Sequence, residues 1–147
     1  LGGLEKQNGT GNVSYDPDNH QLMTKIRAEK VERVADFIPP TNAFGDDDGE
    51  TLILGWGSTF GAIRAAVNRT RAQGEKVAHV HLRHLNPLPR DLKSIIESYS
   101  KVIVPELNDG QLAFLLRGKL GVEAQSLSKV KGKPFKVSEI EAAIKAA

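Results

Sequence analysis

Thr51 to Val67, TLILGWGSTFGAIRAAV, decides how the rest of the chain is read. Leu52, Ile53 and Leu54 form a short apolar run that breaks into a glycine-spaced loop, Gly55-Trp56-Gly57-Ser58-Thr59. A helical pattern follows, in which Ile63, Ala66, Val67 and Thr70 recur at i, i+3, i+4 and i+7. Strand, loop and helix in that order place backbone N–H groups at the carboxyl end of a strand, where α/β proteins bind ligands. Spacing tests two ligand signatures. A dinucleotide loop needs G-x-G-x-x-G, but Phe60 stands where the third glycine belongs and Gly61 comes one place late. The second strand also ends in His81-Leu82-Arg83 rather than in an acid for the ribose hydroxyls. No Gly-Lys-Ser/Thr follows the glycines, as a P-loop requires. The glycines are therefore read as permitting a tight turn, with Ser58 or Thr59 capping the helix. A phosphate- or nucleotide-binding module that uses this helix N-terminus is the alternative.

Strand-like runs begin near Thr51, Val77, Lys101 and Val122, about 20–26 residues apart, as βαβ units with short connections are. Leu92, Ile95, Ile96 and Tyr99 repeat the helical spacing, as do Leu112, Leu115 and Leu116. A last helix is expected from Ser138, with its hydroxyl as cap and Glu141 completing a capping box. Upstream, residues 1–18 are rich in Gly, Asn and Asp and read as an irregular lead-in. A helix is expected from His20 to Ile38, with Leu22, Met23, Ile26, Val34 and Phe37 on one stripe and Pro39-Pro40 as its stop. Residues 41–50 read as a polar connector. The expected fold is α/β: a lead-in and helix over 1–48, then a small, mostly parallel, doubly wound sheet over 49–147.

Composition narrows the function classes. Of the 147 residues, 39% are hydrophobic and 26% charged, which is ordinary for a globular domain with a sizeable core. A formal charge of +2 gives no electrostatic case for a nucleic-acid partner. No apolar run approaches the roughly 18 residues of a membrane span. Without cysteine the chain has no disulfide, thiolate nucleophile or ligands for an iron–sulfur cluster. The expected location is the cytoplasm. The only methionine is Met23, so a piece of a longer protein is expected, with processing or tag removal as the alternative.

Candidate contact residues cluster at the expected strand ends. Arg83 and His84 follow the second strand and are placed to meet a partner or an anion. Glu106 follows the third, with no nucleophile or second acid spaced to make it a general base, and Asn108 or Asp109 is suited to cap the next helix. His79 and His81 alternate on one strand but lack a third ligand at metal-site spacing, so they read as satisfied or interface histidines and no metal site is assigned. Lys129, Lys131, Lys133 and Lys136 make a basic turn, read as a solvated run or as a contact for an anionic tail or an acidic subunit face. The contacts named for anions or interfaces are Gly55, Trp56, Gly57, Ser58, Thr59, Arg83, His84, Glu106, Asn108 and Lys133. None is assigned a catalytic role.

Taken in order, several stretches resemble the C-terminal part of the α subunit of 2-oxoglutarate:ferredoxin oxidoreductases, within the 2-oxoacid:acceptor oxidoreductase family. They are Gly3-Leu4-Glu5, Ser14-Tyr15-Asp16-Pro17-Asp18-Asn19-His20, Leu54 to Thr59, Val77 to Arg83 and Leu85-Asn86-Pro87. Val104 to Asn108 with Gly110-Gln111-Leu112, and Ser128 to Phe135, complete the set. The resemblance implies a transketolase C-terminal-like, three-layer α/β/α domain of an enzyme that oxidatively decarboxylates a 2-oxo acid to an acyl-CoA and reduces ferredoxin. It also implies that the whole enzyme uses thiamine diphosphate, Mg²⁺, an iron–sulfur cluster and CoA. Partners so implied are the pyrimidine-binding domain of the same α subunit, a β subunit and, indirectly, ferredoxin. No Gly-Asp-Gly…Asn motif for the diphosphate is present, so this chain is expected to bind none of these cofactors and to serve assembly and active-site access. A structural dimerisation domain is the remaining alternative.

Overall fold

The computed structural model describes residues 4–146, so Gly3 of the first resembling stretch lies outside the described residues. The five-stranded sheet has β4 (Gly49–Trp56) at its centre. Thr51 to Gly55 are all buried, because both faces of a central parallel strand are covered, and the apolar run is accordingly continuous rather than alternating. Leu52, Ile53 and Leu54 are fully buried, each contributing about 1.5–3 kcal/mol. On one side β4 pairs in parallel with β5 (Val77–Leu82), from Thr51↔Val77 to Trp56↔Leu82. On the other it pairs in parallel with β6 (Tyr99–Glu106), which carries β7 (Gln125–Ser128) at the edge. The two-residue β3 (Ala43–Phe44) closes the opposite edge, antiparallel to β5.

Helices cover both faces, giving the three-layer α/β/α architecture. On one face, α2 (Phe60–Arg71) and α5 (Val137–Lys145) pack Ile63, Val67, Ile140 and Ile144 on Ile53, Val77 and Ile103. On the other, α3 (Leu92–Glu97) and α4 (Gln111–Leu120) pack Leu92, Ile96, Leu112 and Leu116 on Leu52, Leu54, Val80 and Val104. The chain steps from β4 outward to β5, then crosses back over β4 to β6, which creates a topological switch point between the carboxyl ends of β4 and β6.

Several sequence expectations need correction. The lead-in is not wholly irregular, since β1 (Glu5–Lys6) and β2 (Val13–Ser14) form a small antiparallel hairpin. Helix α1 runs over Pro17–Glu32, not His20–Ile38, because the Asp16 carboxylate accepts from the Asp18 amide at 3.0 Å with Pro17 in the first turn. Arg33–Phe37 tightens into a 3₁₀ turn before the prolines. No residue of α1 is buried, and Leu22, Val34 and Phe37 are exposed, so the apolar stripe does not reach the sheet. Residues 41–50 are more than a connector, since they supply β3 and the start of β4. The last strand starts at Gln125, three residues later than expected, where the chain comes into register with Ile103. Tyr99 belongs to β6 rather than to α3. Helix α5 begins at Val137, with Glu139 rather than Glu141 in the box: the Lys136 amide donates to Glu139 Oε2 at 2.7 Å. No helix among the described residues is long and apolar enough to cross a membrane.

Candidate functional site

The loop after β4 is built on two glycines with different duties. A Cβ at Gly55 would stand 2.4 Å from Ile63 Cδ1 and 3.0 Å from Thr59 Oγ1, so the bare backbone lets α2 seat closely on the sheet. Gly57 has φ +58°, in the left-handed region, and turns the chain into a short 3₁₀ segment, Gly57–Thr59. That segment changes the expected role of Thr59. Its hydroxyl donates to the Trp56 carbonyl at 2.8 Å and accepts from the Trp56 amide at 3.3 Å, so neither Ser58 nor Thr59 caps α2 with its side chain.

Across the switch point, the Trp56 indole Nε1–H donates to Glu106 Oε1 at 3.2 Å. Glu106 is completely buried, and its carboxylate also accepts from the Leu112 amide at 2.8 Å and the Ala113 amide at 3.1 Å. An anion on the first-turn amides of α4 meets the positive end of the helix dipole. Glu106 is therefore an internal cap, which corrects its place among the residues named as anion or interface contacts. Asn108 adds a second cap, with Oδ1 accepting from the Gly110 and Gln111 amides at 2.8 and 3.0 Å. Trp56 to Thr59 with Leu107 and Asn108 enclose a crevice of 150 Å³ here.

A larger cleft, 760 Å³, opens on the other flank of Trp56, between the start of α2 and the end of β5. Phe60, Arg64, His79 and His81 line it, as does Arg83. Arg64 Nε donates to His79 Nδ1 at 3.2 Å, which leaves the His79 proton on Nε2, a buried nitrogen without a partner. His81 Nδ1 is likewise buried and unpaired. The Arg64 guanidinium lies 3.7 Å from the centre of the Phe44 ring, and Phe60 meets His81 edge-on at 5.0 Å between centroids. Burial foremost, then the Arg64 charge and the neighbouring His81, hold His79 down to about 3. Burial also lowers His81, with Arg83 and Arg64 adding to the effect and the Gly57 backbone opposing it. Both imidazoles are neutral at neutral pH. Among the described residues no acidic side chain lines the cleft. The arrangement offers guanidinium donors for an anion, but no carboxylate partner for acid–base work.

The structure thus joins the Trp56–Thr59 loop with Asn108 at one crevice and Trp56 and Gly57 with Arg83 at the cleft. His84 borders an adjoining groove with Arg83 and Pro40. Lys133 sits apart in the exposed turn after β7 and lines none of these hollows. Lys129 of that turn is committed to Glu139 at 2.7 Å. Sequence reasoning missed Phe60 and Arg64 altogether. Their i, i+4 spacing on α2, away from the Ile63–Val67 stripe, together with the alternating histidines, is the signal that marks this wall. Among the described residues no group of three or more His, Asp or Glu gathers to hold a metal ion.

Residues 49–143 match the model of pyruvate:ferredoxin oxidoreductase core domain II. The whole chain is 48% identical over 150 residues to the 2-oxoglutarate oxidoreductase subunit KorA of Mycobacterium tuberculosis, covering 22% of that protein. It is 35% identical over 104 residues to the 2-oxoacid:ferredoxin oxidoreductase 1 subunit alpha of Aeropyrum pernix, covering 67% of this chain and 16% of that one. The fold superposes with a TM-score of 0.88 and 33% identity on the Magnetococcus marinus 2-oxoglutarate:ferredoxin oxidoreductase solved with 2-oxoglutarate, coenzyme A and succinyl-CoA bound. That match covers 96% of this chain and 25% of the other. A split-gene transketolase, at TM-score 0.57 and 16% identity over 75% of this chain and 42% of that one, shares the fold alone. The chain spans 22% of the KorA relative and 25% of the Magnetococcus chain. By sequence over its full length and by fold, the chain belongs to the α-subunit family of the 2-oxoacid:ferredoxin oxidoreductases.

Proposed function

We propose that this chain is the noncatalytic C-terminal domain of the α subunit of a thiamine-diphosphate-dependent 2-oxoglutarate:ferredoxin oxidoreductase, working in the cytoplasm. It serves domain and subunit assembly and shapes the way into an active site built elsewhere. The observation that carries this reading is the 48% identity with a 2-oxoglutarate oxidoreductase subunit over the entire chain. The internal commitments of the strand-end groups support it. Glu106 is spent on capping α4 and on Trp56, and the cleft histidines are neutral and lack a carboxylate partner. Partners on this reading are the pyrimidine-binding domain of the same subunit and a β subunit, with ferredoxin reached through them and a homodimer as a further association. When bound, thiamine diphosphate with Mg²⁺ would supply decarboxylation, a cluster would take the electrons and CoA would accept the acyl group. No residue described here is assigned to hold them. Removing residues 49–146 from the full-length α subunit should abolish its co-purification with the β subunit. Undiminished assembly and turnover without those residues would defeat the proposal.

A further inference from the structure

We infer that the cleft between α2 and the end of β5 is a socket for an aspartate- or glutamate-bearing segment of the same enzyme that lies outside these 147 residues. Arg64 is its preformed fork and Arg83 its second cation. The inference deepens the reading of this chain as part of a larger subunit and rests on it.

Arg64 is held before any partner arrives. Its Nε is committed to His79 Nδ1 at 3.2 Å, and its Cζ lies over the Phe44 ring, 3.7 Å from the centroid. The two terminal nitrogens make no hydrogen bond among the described residues. A guanidinium fixed by stacking and by Nε retains the geometry for a carboxylate and has already lost the rotamer freedom that docking otherwise costs. Its charge is also unanswered. Arg27, Arg69, Arg71 and Arg90 each face a carboxylate within this chain, whereas Arg64 and Arg83, like Arg33 and Arg117, face none among the described residues, and of those four only Arg64 and Arg83 line this cleft. The histidines beside them add no negative charge and, being neutral, leave the positive potential to the two arginines.

The rim favours polypeptide over a small anion. Phe60 is 44% exposed and Phe44 36% exposed on either side of Arg64. An arginine framed by aromatic rings is the composition of an interface hot spot, where a covering segment excludes water from the ion pair. A free phosphate would satisfy the guanidinium and leave both rings wet. The His79 Nε2–H adds an unpaired donor to the same wall, a group that buried sites seldom tolerate without an acceptor. With 22% of the KorA relative covered by this chain, most of such an enzyme lies outside it and is available to supply the carboxylate.

The test uses the assembled enzyme, full α subunit with β subunit, carrying Arg64→Lys. Carbodiimide treatment forms a zero-length amide between an amine and a carboxylate in contact, and peptide mass spectrometry then reads the junction. A junction from position 64 to an Asp or Glu outside residues 1–147 is the expected result, and reversing that carboxylate should restore assembly to an Arg64→Glu enzyme. The assembled enzyme gives an independent measure: dicarbonyl labelling of Arg64 and Arg83 should be about tenfold slower in the wild type than in a variant whose cross-linked Asp or Glu is replaced by Asn or Gln. Equal labelling in both enzymes would overturn the inference, as would junctions confined to residues 1–147 or none at all. Protection that appears only on adding inorganic phosphate or an adenine nucleotide would also overturn it and assign the cleft to a small anion. Wild-type α subunit that never associates with the β subunit would instead defeat the underlying functional reading.

Discussion

Three glycines near the loop have three environments, and substitution separates them. Gly55→Ala drives a methyl into Ile63, which is itself fully buried, so a loss of about 1–3 kcal/mol is expected in urea unfolding. Gly57→Ala meets no neighbour but forces φ +58° on an L-residue, for about 1 kcal/mol. Gly61→Ala also meets open space, in an exposed helical turn, and should stabilise by about 0.5–1 kcal/mol. Glu106→Ala strands the Leu112 and Ala113 amides and the Trp56 indole at once, and should cost about 3 kcal/mol or more. Trp56 is the only tryptophan, so its fluorescence reports the loss directly. The His79 shift gives a pH dependence with a definite sign. An unfolded chain binds a proton at this imidazole below about 6.5, whereas the folded one does so only near 3. Stability should therefore fall as pH drops from 6.5 toward 3, by at most about 1.4 kcal/mol per pH unit from this group. His81 pulls the same way. Asp46 and Glu139, both held low by their cation partners, begin to lose their contribution only nearer 4. Between pH 6.5 and 5, His79→Gln should flatten the slope of urea midpoint against pH without abolishing it.

At the scale of elements, legibility followed where the physical cause lay. The β4–α2 unit was readable because an uninterrupted apolar run and a 3.6-residue stripe have local causes, and Ile63, Ala66, Val67 and Thr70 are all buried as spaced. Asn108 as a cap was equally local. What escaped depends on distant partners. The two-residue β3 forms only because β5 offers an edge, and Phe44 reaches the candidate wall only by pairing with His79. Glu106 reads from the sequence as a strand-end contact, whereas its four donors come from β4, α4 and Asn108. The α1 stripe was legible as a pattern, but pattern alone does not say what it packs against. Amide exchange should show it, with α1 exchanging far faster than β4 in the isolated chain. The capping box at α5 separates two glutamates: Glu139→Ala should lower the unfolding midpoint through loss of the Lys129 pair and the Lys136 amide bond, and Glu141→Ala by much less.

At the scale of the molecule, the glycine-spaced loop that suggests a nucleotide serves instead as the hinge of two strand-end hollows. One is locked by the Trp56–Glu106 bond, and the other is left cationic and rimmed with exposed aromatic rings. A fold of this class holds its ligand at the switch point when it works alone. Here that crevice is small and internally tied, and the open chemistry faces outward toward partners. The most direct measurement is viologen reduction with 2-oxoglutarate, CoA, thiamine diphosphate and Mg²⁺, comparing this chain alone with the complete α and β subunits. No turnover is expected from the chain alone, and 2-oxoglutarate-dependent reduction is expected from the assembly. Turnover by the isolated chain would contradict the noncatalytic role.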